Sequence, residues 1–170
     1  MSVDPAGFRK ALGQFATGVT VVTTRDAAGH PLGLTVSAFC SVSLHPPLVL
    51  VCIDHRSEAN AAMRESGLFA VNVLAEGQEE VSRRFAAPGR AKLQGFELTE
   101  GKHSLPLVPG ALAHVECRVR SFHEEGDHAV WVGEVRAVAA HPGRPLLYHA
   151  GEYRRLEGGP RSGKPGGDRL

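Results

Sequence analysis

Leu48 to Ile53 is an unbroken apolar run of strand length, entered through His45-Pro46-Pro47 and left at Asp54. Neither proline can donate a ladder hydrogen bond, so the chain must turn there. A continuous apolar run of this length predicts a strand buried on both faces. The same punctuation recurs along the chain. Val19 to Thr24 stops at Asp26-Ala27-Ala28-Gly29, Leu32 to Leu44 stops at the prolines, and Leu68 to Leu74 starts after Gly67. Further on, Val115, Cys117 and Val119 alternate with His114, Glu116, Arg118 and Arg120, which predicts one buried and one wet face. A turn at Glu125-Gly126-Asp127 leads into His128 to Ala140, as in a hairpin, and a last strand pair is expected in Leu146 to Tyr148 and Tyr153 to Leu156. About seven strands with only a few short helices predict a mainly β fold, a closed or partly closed barrel with helical decoration.

Three short helices are expected. Asp4 can cap the first, Pro5 suits its first position, Phe8, Leu12 and Phe15 share a face, and Gly18 is the expected stop. Ser57 reads as the cap of Glu58 to Ser66, which ends at Gly67, and Gln78 to Ala86 is closed by Pro88-Gly89. Arg90 to Gly110 reads as a long connection, of the kind that is functional or mobile. One domain over residues 1–156 is expected, followed by a Gly-rich tail, 157–170, too poor in apolar residues to offset its ordering entropy.

A formal net charge of +1 supplies no field for gripping nucleic acid or an anionic membrane. No apolar run approaches the roughly 20 residues of a membrane-spanning helix. Met1 to Pro5 has neither the basic start nor the apolar stretch of a signal peptide, so a cytoplasmic location is expected. Cys40, Cys52 and Cys117 are widely spaced and set among apolar residues, which suits reduced core thiols. No dinucleotide-binding glycine fingerprint, P-loop, H-E-x-x-H, paired-cysteine motif or G-x-S-x-G elbow is present. The histidines sit singly, without metal-ligand spacing, so no metal site is expected.

A nucleotide ligand would therefore need another kind of cradle. In Leu34 to Ser43, alternation would point Thr35, Ser37, Ser41 and Ser43 the same way. Such a hydroxyl face is either a plain solvent-facing strand or a surface for a planar polar ligand. Ser57 opens a helix just after a buried strand, either as a cap alone or as a place for a phosphate near the free amides and dipole.

Taken in order, Ala16-Thr17-Gly18-Val19-Thr20-Val21-Val22-Thr23, Gly33-Leu34-Thr35-Val36-Ser37-Ala38-Phe39, Ser41-Val42-Ser43, Pro46-Pro47-Leu48-Val49, Phe69 to Leu74, Arg84-Phe85-Ala86, Gly126-Asp127-His128 and Gly133-Glu134-Val135 resemble the flavin reductase-like family. The resemblance spans about residues 8 to 156. It implies an FMN-binding split β-barrel, usually a homodimer, that reduces FMN or FAD with NADH or NADPH. It also implies a flavin-dependent monooxygenase that receives the reduced flavin. Carried over by residue, Thr35, Val36, Ser37 and Ala38 would contact the flavin ring and ribityl chain, with Cys52, Ile53 and Asp54 bordering them. Ser57 and Asn60 would hold the phosphate end, and Arg84 and Phe85 would close the site. His128 would position the nicotinamide as the catalytic residue, with Tyr153 lining that side. Arg56 is offset by one place from the basic residue the family often carries and stays outside this set. A competing reading is a flavin-binding carrier or sensor without reductase turnover. The related pyridoxamine-phosphate oxidases share the barrel, but they call for a basic cluster that is missing here.

Overall fold

A computed structural model describes residues 3–158, so the tail expected to be disordered lies, from residue 159 onward, outside the described residues. The strands are β1 (Thr17–Gly18), β2 (Thr20–Arg25), β3 (Pro31–Val36), β4 (Phe39–Leu44), β5 (Pro47–Asp54), β6 (Leu68–Val73), β7 (Thr99–Glu100), β8 (Pro106–Leu107), β9 (Ala113–Glu125), β10 (His128–Ala140), β11 (Leu147–His149) and β12 (Glu152–Arg154). The helices are α1 (Pro5–Leu12), α2 (Glu58–Ser66) and α3 (Glu79–Ala86), with a 3₁₀ turn at Arg90–Leu93.

Seven strands form one antiparallel sheet in the order β3-β2-β6-β9-β10-β5-β4. β3 and β4 occupy its opposite edges although only Ser37 and Ala38 separate them in the chain. Three trans peptide steps reach at most about 11 Å, so the two edges must come together and the sheet must roll up. The Cys52 N–H donates to the Ala38 carbonyl at 3.1 Å, carrying the β4–β5 ladder into the link between β3 and β4 at this seam. The result is the split barrel expected from the resemblance. Val22, Val51, Ile53, Met63, Phe69, Val71 and Trp131 fill its interior. A second cluster under α3 contains Val21, Leu74, Phe85, Val108 and Leu146.

Several expectations change once this closure is taken into account. The run from Leu32 to Leu44 is two strands, because β3 pairs with β2 whereas β4 pairs with β5. In β5 only Val49, Val51 and Ile53 are buried, while Leu48, Leu50 and Cys52 are half-buried, so one face alone is core. Helix α1 is capped as expected, the Gly7 N–H donating to Asp4 at 2.8 Å, but it stops at Gly13, and Gly18 belongs to β1. Phe8 and Leu12 of the helix are uncovered, at 57% and 55% exposure, as is Phe15 just beyond it at 74%. The Arg90 to Gly110 connection carries the 3₁₀ turn and the β7–β8 pair, and it buries Leu105 to Val108. That same segment covers Glu116, which alternation placed on the wet face. The Glu116 carboxylate accepts from the Lys102 and His103 amides at 3.0 and 2.8 Å, which satisfies it inside.

The cysteines divide as well. Cys117 is buried, Cys52 is half-buried and Cys40 is exposed, so only part of the core-thiol expectation holds. Burial pushes the Cys117 thiol up to about 12, and an alkylating reagent needs the thiolate. In the native protein iodoacetamide should therefore modify Cys40 first and leave Cys117 unmodified until denaturant is added. Peptide mapping by mass spectrometry reads that order directly.

Candidate functional site

The buried β5 strand delivers Asp54 to the barrel rim, where the chain turns through His55 and Arg56 into α2. Ser57 accepts from the Ala59 N–H at 3.3 Å, the N-cap the sequence indicated. This helix start borders a cavity of about 510 Å³, whose other walls are Leu32 to Thr35 of β3, Phe85 to Pro88 at the end of α3, and Gly89 to Leu93. Its size falls in the roughly 300–1,000 Å³ range of small-molecule sites. Leu34, Phe85 and Leu93 make part of the wall apolar, while Asp54, Arg56, Ser57, Arg90 and Lys92 supply polar groups.

The three cations of the wall differ in how they are held. Arg56 is committed to Asp54, with Nη2 to Oδ2 at 2.6 Å, and this contact holds the Asp54 carboxyl well below its usual range. Arg90 bridges Asp26 at 2.7 Å and Glu58 at 2.9 Å. Lys92 donates only to the Phe85 carbonyl, at 3.2 Å, and has no carboxylate in ion-pair range among the described residues. Burial lowers its pKa, desolvation outweighing the opposing pull of the Glu58 carboxylate. A partly desolvated cation with no direct ion pair, beside a helix N-terminus, suits an anion.

Of the residues singled out from the sequence, Thr35, Asp54, Ser57 and Phe85 line this cavity. Ser37 and Ala38 are exposed at the seam, and Cys52 meets Ala38 through its backbone. Val36 and Ile53 turn their side chains into the core, at 5% and 1% exposure. The expected hydroxyl face is not formed. The Thr35 hydroxyl donates to the Ser82 carbonyl at 2.7 Å. A bulge at Val42 then sets Ser41 and Ser43 opposite the successive residues Val49 and Leu48, so they point to opposite sides.

Asn60 and Arg84 stand behind the wall. The Asn60 amide is fully engaged with protein groups. The Arg84 guanidinium donates to the Lys92 and Gln94 carbonyls and lies 5.3 Å from the Phe96 ring centroid, fastening the strap over residues 90–96. Tyr153 donates to the Ser82 hydroxyl at 2.8 Å and lines a neighbouring groove that shares Ala86 and Ala87 with the cavity. His128 is the cross-strand partner of Asp54, which places it on the same rim. Its Nδ1–H donates to Asp127 at 2.6 Å, and this bond lowers the Asp127 carboxyl pKa.

Two contributors escaped the sequence reading. Gly33 lies against Phe85 so closely that a Cβ there would stand 2.7 Å from Cε1 of the ring. Its place in the Gly33-Leu34-Thr35 motif was the available signal. Lys92 lies in a Gly- and Pro-rich connection with no periodic pattern to mark it.

The sequence matches the flavin reductase like domain over residues 12–157. It is 43% identical over 157 residues to the reductase subunit HsaB of a flavin-dependent monooxygenase from Rhodococcus jostii, covering 92% of this chain and 80% of the relative. It is also 43% identical over 149 residues to the FMN reductase (NADH) SmoA of Agrobacterium fabrum, covering 88% of this chain and 84% of that one. The NADH:FAD oxidoreductase SgcE6 of Streptomyces globisporus C-1027, solved with NAD and FAD fragments, superposes with a TM-score of 0.84 at 38% identity. That match covers 92% of this chain and 96% of the other.

The role of Arg84 can be tested without any ligand. R84A should release the strap, and trypsin should then cut after Arg90 and Lys92 several times faster while the thermal midpoint falls only modestly. Unchanged cleavage would mean that packing of Phe96 against Phe85, whose ring centroids are 5.2 Å apart, suffices to hold it.

Proposed function

This chain belongs to the flavin reductase-like family, and we propose that it uses NADH or NADPH to reduce FMN or FAD for a partner monooxygenase. The half-buried Lys92 ammonium, which has no direct ion pair among the described residues and lines the cavity beside β3, carries this reading, since a flavin phosphate is an anion such a wall suits. A bound flavin would supply the electron-accepting ring for hydride from the nicotinamide. The protein's own share is binding, orientation and a dry wall, because hydride transfer is the chemistry of the flavin and nicotinamide themselves.

In this reading Leu34 and Phe85 supply apolar contact for the ring. The backbone from Thr35 to Ala38 offers hydrogen-bonding groups at the seam, and Cys52 to Asp54 borders it. Ser57 and Lys92 receive the phosphate at the start of α2. His128, held by Asp127 on the rim beside Asp54, stands on the nicotinamide side. Tyr153 belongs to the adjoining groove. The working unit is a homodimer, a reading supported by the uncovered apolar residues of α1. No helix of the described residues is long and apolar enough to cross a membrane, and the reaction is placed in the cytoplasm, where its nicotinamide donor is available.

Purified protein should consume NADH only when FMN or FAD is added, as followed by the loss of nicotinamide absorbance. Flavin binding without turnover would identify a carrier or sensor instead. K92Q should raise KM for FMN about tenfold, the scale of one charge-assisted hydrogen bond, and leave KM for riboflavin, which has no phosphate, unchanged. H128A should raise KM for NADH more than it weakens flavin affinity. Equal NADH kinetics in the variant and the parent protein would remove His128 from the site.

A further inference from the structure

Trp131 is the only tryptophan of the chain and is fully buried in the middle of β10. A buried indole N–H needs an acceptor. Here that acceptor is Oδ1 of Asn60, at 2.9 Å. Asn60, itself 7% exposed, uses Nδ2 to donate to the Asp54 carbonyl at 2.8 Å and to the Ser57 carbonyl at 3.3 Å. One amide thus joins the barrel interior to the last residue of β5 and to the N-cap of α2.

The location matters because the β5–β10 ladder ends there. His128 opposite Asp54 is its last pair, and beyond it the chain has left the sheet. From Asp54 to Ser57 the backbone is held by the Asp127 carbonyl, which accepts from the His55 N–H at 3.0 Å, by local turn bonds, and by Asn60. Of these hydrogen bonds, only those of Asn60 lead to a buried core side chain, alongside the packing of Ala59, Ala62 and Met63 that seats α2. Asp54, Arg56 and Ser57 all line the cavity, so this amide helps to set their placement.

Both amide hydrogens of Asn60 are spent on carbonyls, and its oxygen already accepts from Trp131. It has no donor left for a phosphate. We propose that Asn60, backed by Trp131, is a positioning residue that sets the β5–α2 junction and through it the affinity for the anionic end of the flavin. This deepens the reductase reading and rests on it.

N60A removes every bond of the amide. W131F keeps an aromatic ring in the core while deleting the indole donor and part of the ring volume. Each should raise KM for FMN about five- to thirtyfold, with kcat within about twofold and KM for riboflavin unchanged. The double variant should be little worse than N60A, because the two residues act as one unit. Thermal melts of each variant check that the fold persists. W131F remains decisive if N60A does not fold, since it leaves both carbonyl bonds available. Equal losses on FMN and riboflavin, or additive effects of the two changes, would reduce the pair to plain core structure and overturn the proposal. Failure of the reductase reading would look different, as an absence of flavin-dependent NADH consumption in the unsubstituted protein. In that case equilibrium dialysis with FMN and riboflavin still decides the role of Asn60 by the same ratio.

Discussion

The seam between β3 and β4 is the constraint from which the rest of the molecule follows. Consecutive strands that pair with different partners at opposite edges of one sheet can be joined by Ser37 and Ala38 only if those edges meet. Closure then dictates which residues are core. Val22, Val51, Phe69 and Trp131 converge because the sheet bends around them, and their burial in turn offsets the entropy of ordering so many non-local pairings. It also dictates where a ligand can lie, because the rim at the seam presents backbone that no neighbouring strand covers.

On that rim, the electrostatics are graded. Arg56 and Arg90 are each neutralised by carboxylates at the surface, where such pairs contribute little to stability and mainly hold side chains in place. Lys92 differs in being half-buried, with a carbonyl rather than a carboxylate as its hydrogen-bond partner. The cavity therefore combines a cation free of a direct ion pair among the described residues with apolar surface, a combination that suits a ligand with a flat ring and a charged tail. The mainly structural roles of Asn60 and Arg84 fit the same picture, since the groups that meet a ligand need others to hold them still.

Local patterns in the sequence revealed what local forces decide. Strand lengths, the Ser57 cap, the Gly67 stop and the β9–β10 hairpin all follow from periodicity and turn chemistry within a few residues. The break at Ser37-Ala38 was hidden because it depends on edges far apart in the sheet. The bulge at Val42 was hidden too, and it alone undoes a hydroxyl face that strict alternation predicts. Glu116 misled for a related reason, since the segment that buries it is a distant loop that alternation cannot see. Within the site, the motif residues of β3 and the start of α2 were visible, whereas Lys92 sits in irregular chain where position along the sequence says nothing about facing. Asn60 read by resemblance as a holder of the phosphate end and Trp131 carried no signal at all, and only their mutual distance gives them a joint meaning.

The missing side chain at Gly33 has one further implication. Phe85 rests directly on the β3 backbone there and meets Phe96 edge-on from its other side. The aromatic wall of the cavity is thus a spacer wedged between strand and strap, and the thickness of the slot is gauged by one absent carbon. Any residue larger than glycine would shim the ring outward and carry the strap with it, so the strand and the strap are machined to one tolerance. Slot width in this barrel is then set jointly by bare main chain at Gly33 and the thickness of the Phe85 ring that bears on it.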